Sequence, residues 1–415
     1  MVAVLGRRHV LIYFPGALQT FLSPTDSSQK PPAMSMSSAT GVFLISLLSI
    51  PILWLVNHSG LIGGNPWGIL AAGYASLAGI PALAYFVIRD KRVKKDPWFY
   101  VFTTFAFSSV VDLVLCLEMD GMISGFTEFY MKEGEPYLGT AYGIMISYWD
   151  ATAHYSMYLM MVAAIAWNEQ YREVGLYWVG SLLHSMIVFM PGTFIGKFAN
   201  EIRPAILLNI PYVVVPVVAG VKYLQSRQDS QALSKEVKKV QGTSLLKRPL
   251  DVLLMLFLLV SIGISVIRGL AVLDCPWEVT KTYTKEYEPY LEDRTAYPVI
   301  QMLVYLFYFV PYYLAAMYGL VQPGCVWMPD WALLFAGAAA QAQFSHIGSS
   351  FHGRTRFTRR VPEATSMEFW VINLLLAIVP QILAYRCVKY PSFFARGKSQ
   401  IMNGVKESPS KKKDS

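Results

Sequence analysis

The sequence predicts an all-α polytopic membrane protein of about ten transmembrane helices, with two leading helices followed by two parallel four-helix repeats. Three observations carry that expectation. The 415 residues are 54% hydrophobic and only 15% charged. A soluble domain carries roughly a quarter charged residues, so the surplus apolar surface faces something other than water. Apolar runs recur near 40–57, 66–88, 97–117, 139–166, 174–190, 204–222, 250–271, 298–321, 331–347 and 367–387. Each is close to the ~20 residues a helix needs to cross ~30 Å of hydrocarbon, where only helices and closed barrels satisfy their backbone. Finally, one loop occurs twice, as "FYMKEGEPYLGTAY" at 129–142 and "TYTKEYEPYLEDRTAY" at 282–297.

Taken in order, residues 1–35 form an N-terminal extension, a short apolar stretch and then a Ser/Pro-rich run. Two readings stand: an upstream start ahead of Met34 or Met36, or a cleaved signal peptide. Residues 36–95 hold the two leading helices and end in "RDKRVKK". The first repeat, 96–222, opens with a proline at the membrane edge in "DPWFYV", then has a long helix, the recurring loop and three more helices. A polar linker, 223–247, leads to the second repeat, 248–388, which opens with "RPLDVL". A basic tail, 389–415, closes the chain. The two loop copies agree at Tyr130/Tyr283, Lys132/Lys285, Glu133/Glu286, Glu135/Glu288, Pro136/Pro289, Tyr137/Tyr290 and Leu138/Leu291, and Thr-Ala-Tyr recurs after a two-residue insertion. Pro136 and Pro289 cannot extend a helix, so each marks re-entry. The acids before them are expected to be solvated or to cap the entering helix, and the tyrosines after them to anchor at the interface. "FAGAAAQAQF" (335–344) reads as small-residue helix packing.

Orientation follows from lysine and arginine. "RDKRVKK", the 223–247 linker and the tail "KESPSKKKDS" all fall on the cytosolic side if ten spans leave both termini there. Both copies of the recurring loop are then lumenal. "HGRTRFTRR" (352–360) objects, since four arginines would be lumenal; a re-entrant ninth helix or local packing would account for it. The net charge of +8 places a basic face against anionic headgroups. It does not indicate nucleic acid, because no basic patch is interleaved with aromatics. Cys116, Cys275, Cys325 and Cys387 are too few and scattered for a disulfide framework or a zinc site; a Cys116–Cys275 bond is left open. No metal or cofactor is implied. The sequon at Asn57 abuts the first helix. Lys412 and Lys413, at −4 and −3 in the terminal "KKDS", form a dilysine retrieval pattern. It implies the endoplasmic reticulum membrane with cycling through the ER–Golgi intermediate compartment.

Ionisable residues inside a membrane are costly and therefore informative. Asp112 lies in "SSVVDLVLCLE" and Asp150 and His154 in "YWDATAHY". The i, i+4 spacing puts the last two on one helix face, where a carboxylate orients an imidazole and the pair can relay a proton. Tyr148, Trp149, Tyr155 and Tyr158 are nearby in sequence. The bland reading is interhelical glue worth ~1 kcal/mol, with Arg268 paired to Asp112 or Asp274. His184, His346 and His352 read as core or loop residues. In the second repeat Ser265 replaces Asp112, and the stretch around Leu303, taken as the counterpart of Asp150, has neither acid nor histidine.

The stretches "FTEFYMKEGEPYL", "YWDATAHY", "GLYWVGS", "EIRPAILLNIPY", "IRGLAVLDCP", "PDWALLFAGAAAQAQFSHIGSSFH" and "LAYRCVKYPSFF" resemble the transmembrane 6 superfamily. That family has tandem EXPERA domains, related to the sigma-2 receptor and the emopamil-binding sterol isomerase. "EIRP" and "PDWAL" lean toward its second member, and "SSATGVF" toward its first. The resemblance implies a regulator of lipid homeostasis in the endoplasmic reticulum membrane. The second member influences triglyceride and lipoprotein secretion and lipid-droplet content; a lysosomal membrane location goes with the first. It further implies a ligand site of Asp112, Asp150, His154, Tyr148, Trp149 and Glu135, binding a sterol or other lipid. Asp112, Glu135–Pro136 and Asp150 match the sigma-2 receptor's acids. Asp150 and His154 reverse the isomerase's His/Glu order, and the third helix offers His184 but no acid. A non-enzymatic binder is therefore preferred. The alternatives are a Δ8–Δ7 sterol isomerase using Asp150, His154 and Asp112, and a ligand-free scaffold. Expected partners are membrane lipids and other endoplasmic reticulum membrane proteins.

Overall fold

The computed structural model describes residues 38–60, 65–226 and 234–395. The N-terminal extension and Lys412 and Lys413 lie outside them. The expected all-α polytopic fold holds. The leading helices are α1 (Ser38–Leu47) and α2 (Ser49–His58), which together make one span, and α3 (Pro66–Val87). The first repeat comprises α4 (Pro97–Met119), the short loop helix α5 (Glu128–Glu133), α6 (Ala141–Trp149) running through a π-helical turn at Asp150–His154 into α7 (Tyr155–Trp167), α8 (Arg172–Ile195), and α9 (Ile210–Gln225) after a 3-10 turn at Pro204–Asn209. A linker helix, α10 (Ser234–Gln241), leads to the second repeat. There the order recurs as α11 (Pro249–Val272), α12 (Glu278–Glu286), α13 (Tyr297–Val304), a π-helical turn at Tyr305–Phe309, α14 (Val310–Val321), α15 (Met328–Phe351) and α16 (Ser366–Lys389).

Among the described residues eight helices are long and apolar enough to cross a membrane. Two of the ten expected runs are not among them, and both are helical over a spanning length: α6–α7 with its π-helical turn, and α15. Each carries its polar residues inward. Asp150 and His154 are buried in the first, and Gln341, Gln343, Ser345 and His346 in the second. A helix enclosed by other helices need not be apolar all round, so hydropathy undercounts spans of this kind. The ninth run is not re-entrant, since α15 has 24 residues, or roughly 36 Å of axis.

The two repeats meet along α8 and α15, and glycine makes the meeting close. A Cβ on Gly180 would sit 1.8 Å from the carbonyl oxygen of Leu334, and one on Gly337 would sit 1.9 Å from that of Tyr177. Each repeat thus presents a glycine to the other's backbone at an equivalent point, as around a two-fold axis. The Thr-Ala-Tyr of each loop copy supplies a ring to the same seam: Tyr142 and Tyr297 stack with centroids 4.8 Å apart and planes 16° apart. Arg172 at the start of α8 closes the other end with a double hydrogen bond to Asp330 of α15, at 2.9 and 2.8 Å. The recurring loop is therefore an architectural element used twice around one axis.

Local packing accounts for the arginine-rich loop. Arg354 donates to the carbonyls of Met119 at 2.6 Å and Gly139 at 3.2 Å, and Arg360 to those of Thr355 at 2.9 Å and Gly353 at 2.7 Å. Arg359 pairs with Glu292. Cys116 and Cys275 are free thiols, which closes the disulfide alternative. Asn57 is engaged by its amide, donating to Gly125 O at 3.0 Å and accepting from Phe129 N at 3.3 Å.

Candidate functional site

A partly open cavity of about 220 Å³ lies between the leading helices and the first repeat. Its apolar walls include Ile52, Val56 and Leu77 of the leading helices, with Phe107, Phe129 and Phe189 of the repeat. Its ionisable acids and histidine are Asp112 from α4, Glu135 from the loop, and Asp150 and His154 from the π-helical turn, joined by Asn209 of the 3-10 turn and Tyr212 of α9. Among the described residues no arginine or lysine lines it.

A break in helical regularity sets this arrangement locally. A π-helical turn inserts one residue into an α-helix and re-aims the side chains beside it. Here it holds Asp150 and His154 at hydrogen-bond distance, Nδ1 to Oδ1 at 2.8 Å. The Ser109 hydroxyl donates to the other carboxylate oxygen at 2.5 Å. His154 Nε2 lies 2.8 Å from Ser181 Oγ, which also receives the Trp149 indole N–H at 2.8 Å. Both ring nitrogens of His154 are thus engaged, Nδ1 by Asp150 and Nε2 by Ser181.

Glu135 is buried, 4% exposed, contrary to the expectation of a solvated or capping acid. Burial pushes its carboxyl up, against donors from Tyr130, Tyr137 at 2.8 Å and Asn209 at 2.6 Å. Its repeat partner Glu288 is also buried, 1% exposed, but in a different field. Arg268 pairs with it, Asn373 is shared between the two, and His346 Nε2 stands 3.4 Å away. Burial, the largest single influence, would raise the Glu288 carboxyl, but the charges and hydrogen bonds of Arg268 and His346 together outweigh it and hold the carboxyl at about 2. Arg268 therefore belongs to Glu288, not to Asp112 or Asp274 as expected. Asn209, at the end of the 3-10 turn that leads into α9, and Asn373 of α16 each donate to their own loop's glutamate. The tyrosines after the prolines are core residues rather than interfacial anchors: Tyr137 and Tyr290 are 0% and 1% exposed.

Of the residues singled out from sequence, Asp112, Glu135, Asp150 and His154 line the cavity. Tyr148 and Trp149 do not. Tyr148 donates to Asp120 at 2.8 Å, and Trp149 donates to Ser181 and packs against Phe344. The matching π-helical turns correct the repeat register: Tyr305 and Phe309, not Leu303, stand where Asp150 and His154 do. Sequence reading missed Ser109 and Ser181 as the partners of Asp150 and His154. It also missed that the leading helices wall the cavity. Among the described residues no group of three His, Cys, Asp or Glu is placed to hold a metal ion. The arrangement can hold an apolar molecule over a small polar floor of acceptors and one imidazole.

Residues 48–234 match the family described as "Transmembrane 6 superfamily member 2-like, transmembrane domain", and residues 278–387 match "EXPERA (EXPanded EBP superfamily)". Transmembrane 6 superfamily member 2 of Homo sapiens is 47% identical over 351 residues, covering 84% of this chain and 93% of that protein. The Mus musculus protein of the same name is 47% identical, covering 84% and 92%. The one from Rattus norvegicus is 46% identical over 353 residues, covering 85% and 93%. No solved structure gives a significant match.

Proposed function

The chain belongs to the transmembrane 6 superfamily, and from that premise we propose that it is an endoplasmic reticulum membrane regulator of lipid homeostasis, working by binding a sterol or another apolar lipid in the first repeat. The observation that supports this reading most is the first cavity. Apolar walls open to accept a hydrocarbon body, and Asp112, Asp150, His154 and Glu135 supply polar contacts at one end. A non-catalytic role is the better reading because His154 is turned toward Ser181, itself 0% exposed. Its second nitrogen is thereby engaged, and an isomerase needs a donor and an acceptor placed across the sterol. The influence on triglyceride and lipoprotein secretion and lipid-droplet content extends the reading to the cell.

The test is direct binding. Purified full-length protein should be crosslinked by a photoreactive sterol at residues of the first cavity. Asp150→Asn and Asp112→Asn should each weaken capture roughly tenfold with unchanged melting temperature. Normal capture by both variants would mean the acids only hold helices together. Conversion of a Δ8-sterol to its Δ7 isomer by the purified wild type, lost in Asp150→Asn, would replace the binder with the isomerase.

A further inference from the structure

A second cavity, about 120 Å³, lies where the two repeats meet on the face that carries the recurring loops. It shares no lining residue with the first. Its charged residues are Lys197, which follows α8, Arg354 from the arginine-rich loop, and Asp293, which follows the second loop copy. Thr140, Thr295 and Thr355 complete its polar walls.

The charges here are not satisfied by one another. The Arg354 guanidinium donates to the neutral carbonyls of Met119 and Gly139. The Lys197 ammonium sits 5.0 Å from the centre of the Phe198 ring. Asp293 accepts from the Thr295 amide at 2.9 Å. None of the three forms an ion pair among the described residues. Two cations and one carboxylate thus face one small polar space. That space lies beside the ends of two spans, Ile195 of α8 and Tyr297 of α13, at the height where lipid headgroups begin.

We propose that this cavity binds the phosphate of a zwitterionic phospholipid headgroup, with Lys197 and Arg354 on the phosphate and Asp293 on the ammonium. A phosphate oxygen makes short, charge-assisted bonds to both kinds of cation, and the neighbouring ammonium matches the carboxylate. The site also gives the arginine-rich loop a ligand as well as a packing role.

Full-length protein in detergent would be titrated with dihexanoyl phosphatidylethanolamine, dihexanoyl glycerol and inorganic phosphate, with bound molecules counted by native mass spectrometry. Lys197 is exposed, so Lys197→Gln should leave the melting temperature unchanged; Arg354 supports Met119 and is left intact. The phospholipid should bind and the diglyceride should not. Lys197→Gln should weaken phospholipid binding about tenfold, Lys197→Arg should restore most of it, and Asp293→Asn should weaken it too. Equal phospholipid affinity in wild type and Lys197→Gln would overturn the proposal. So would binding of inorganic phosphate without the phospholipid, which would mark a site for a free anion, or indifference to Asp293→Asn, which would remove the zwitterionic headgroup.

Discussion

Glu135 and Glu288 stand at the same position of a repeated loop and are opposite in their electrostatics. Glu288 is lowered in the folded state, so its contribution is fully present above the ordinary glutamate range and is lost as pH falls toward about 2. A shift of that size corresponds to on the order of 3 kcal/mol. Glu288→Gln should therefore destabilise strongly, by roughly 3–5 kcal/mol, because Arg268 is left charged and buried. Glu135 is raised instead. A raised carboxyl disfavours the fold once pH passes above the unfolded glutamate range, and protonation at lower pH relieves that cost. Glu135→Gln should be neutral or stabilising in thermal melts near pH 7. Equal losses in the two variants would show that the loops do not differ as described. The sequence showed both glutamates in register but not their fields, because Arg268, Asn373 and His346 come from three other helices. Asp112, Asp150 and His154 were legible as intramembrane ionisable groups, since such residues are rare and costly. Ser109 and Ser181 were not, because a serine in a membrane helix commonly bonds its own backbone.

Among the elements, the seam of α8 and α15 sets the sharpest constraint. A methyl group on Gly180 or Gly337 would meet main-chain oxygen, which cannot swing aside. Gly180→Ala and Gly337→Ala should each cost about 1–3 kcal/mol or more through forced separation of the helices. Gly263→Ala in α11, where a Cβ meets nothing within 4 Å, should be neutral or slightly stabilising. Thermal melts of the three variants in one detergent check this. A seam variant that melts like Gly263→Ala would contradict the close approach. Apolar length located most helices, while α6–α7 and α15 show where it undercounts. "FAGAAAQAQF" was readable as packing, but its partner, the stretch around Gly180, carries no comparable run of small residues. The π-helical turns were invisible, because an inserted residue leaves no mark on an apolar pattern.

For the molecule as a whole, the repeats are parallel copies with a common loop face. Lys132 and Lys285 are both exposed there. Cysteines placed at these two positions should be labelled from the same side of the membrane, the lumenal side by the distribution of lysine and arginine. Labelling from opposite sides would break the repeat. Replacing Lys412 and Lys413 with Ser should move the protein outward from the endoplasmic reticulum. Unchanged reticular staining would deny the tail that role. Duplication was legible from the loops, and so was the loss of the acid and histidine in the second copy; that the leading helices wall the first copy was not. Among the described residues the large cavity lies beside the leading helices and the first π-helical turn, which carries Asp150 and His154.

The closeness of Gly180 and Gly337 to each other's neighbouring backbone also bears on ancestry and on engineering. A two-fold seam inside one polypeptide is what remains when two identical subunits become covalently joined. Each half is then the other's obligate binding partner. A chain cut between α9 and α11 and produced as two fragments should reassemble in the membrane through that seam. The tether between the halves raises their local concentration and frees one copy to lose the counterparts of Asp112, Asp150 and His154 while the other keeps them.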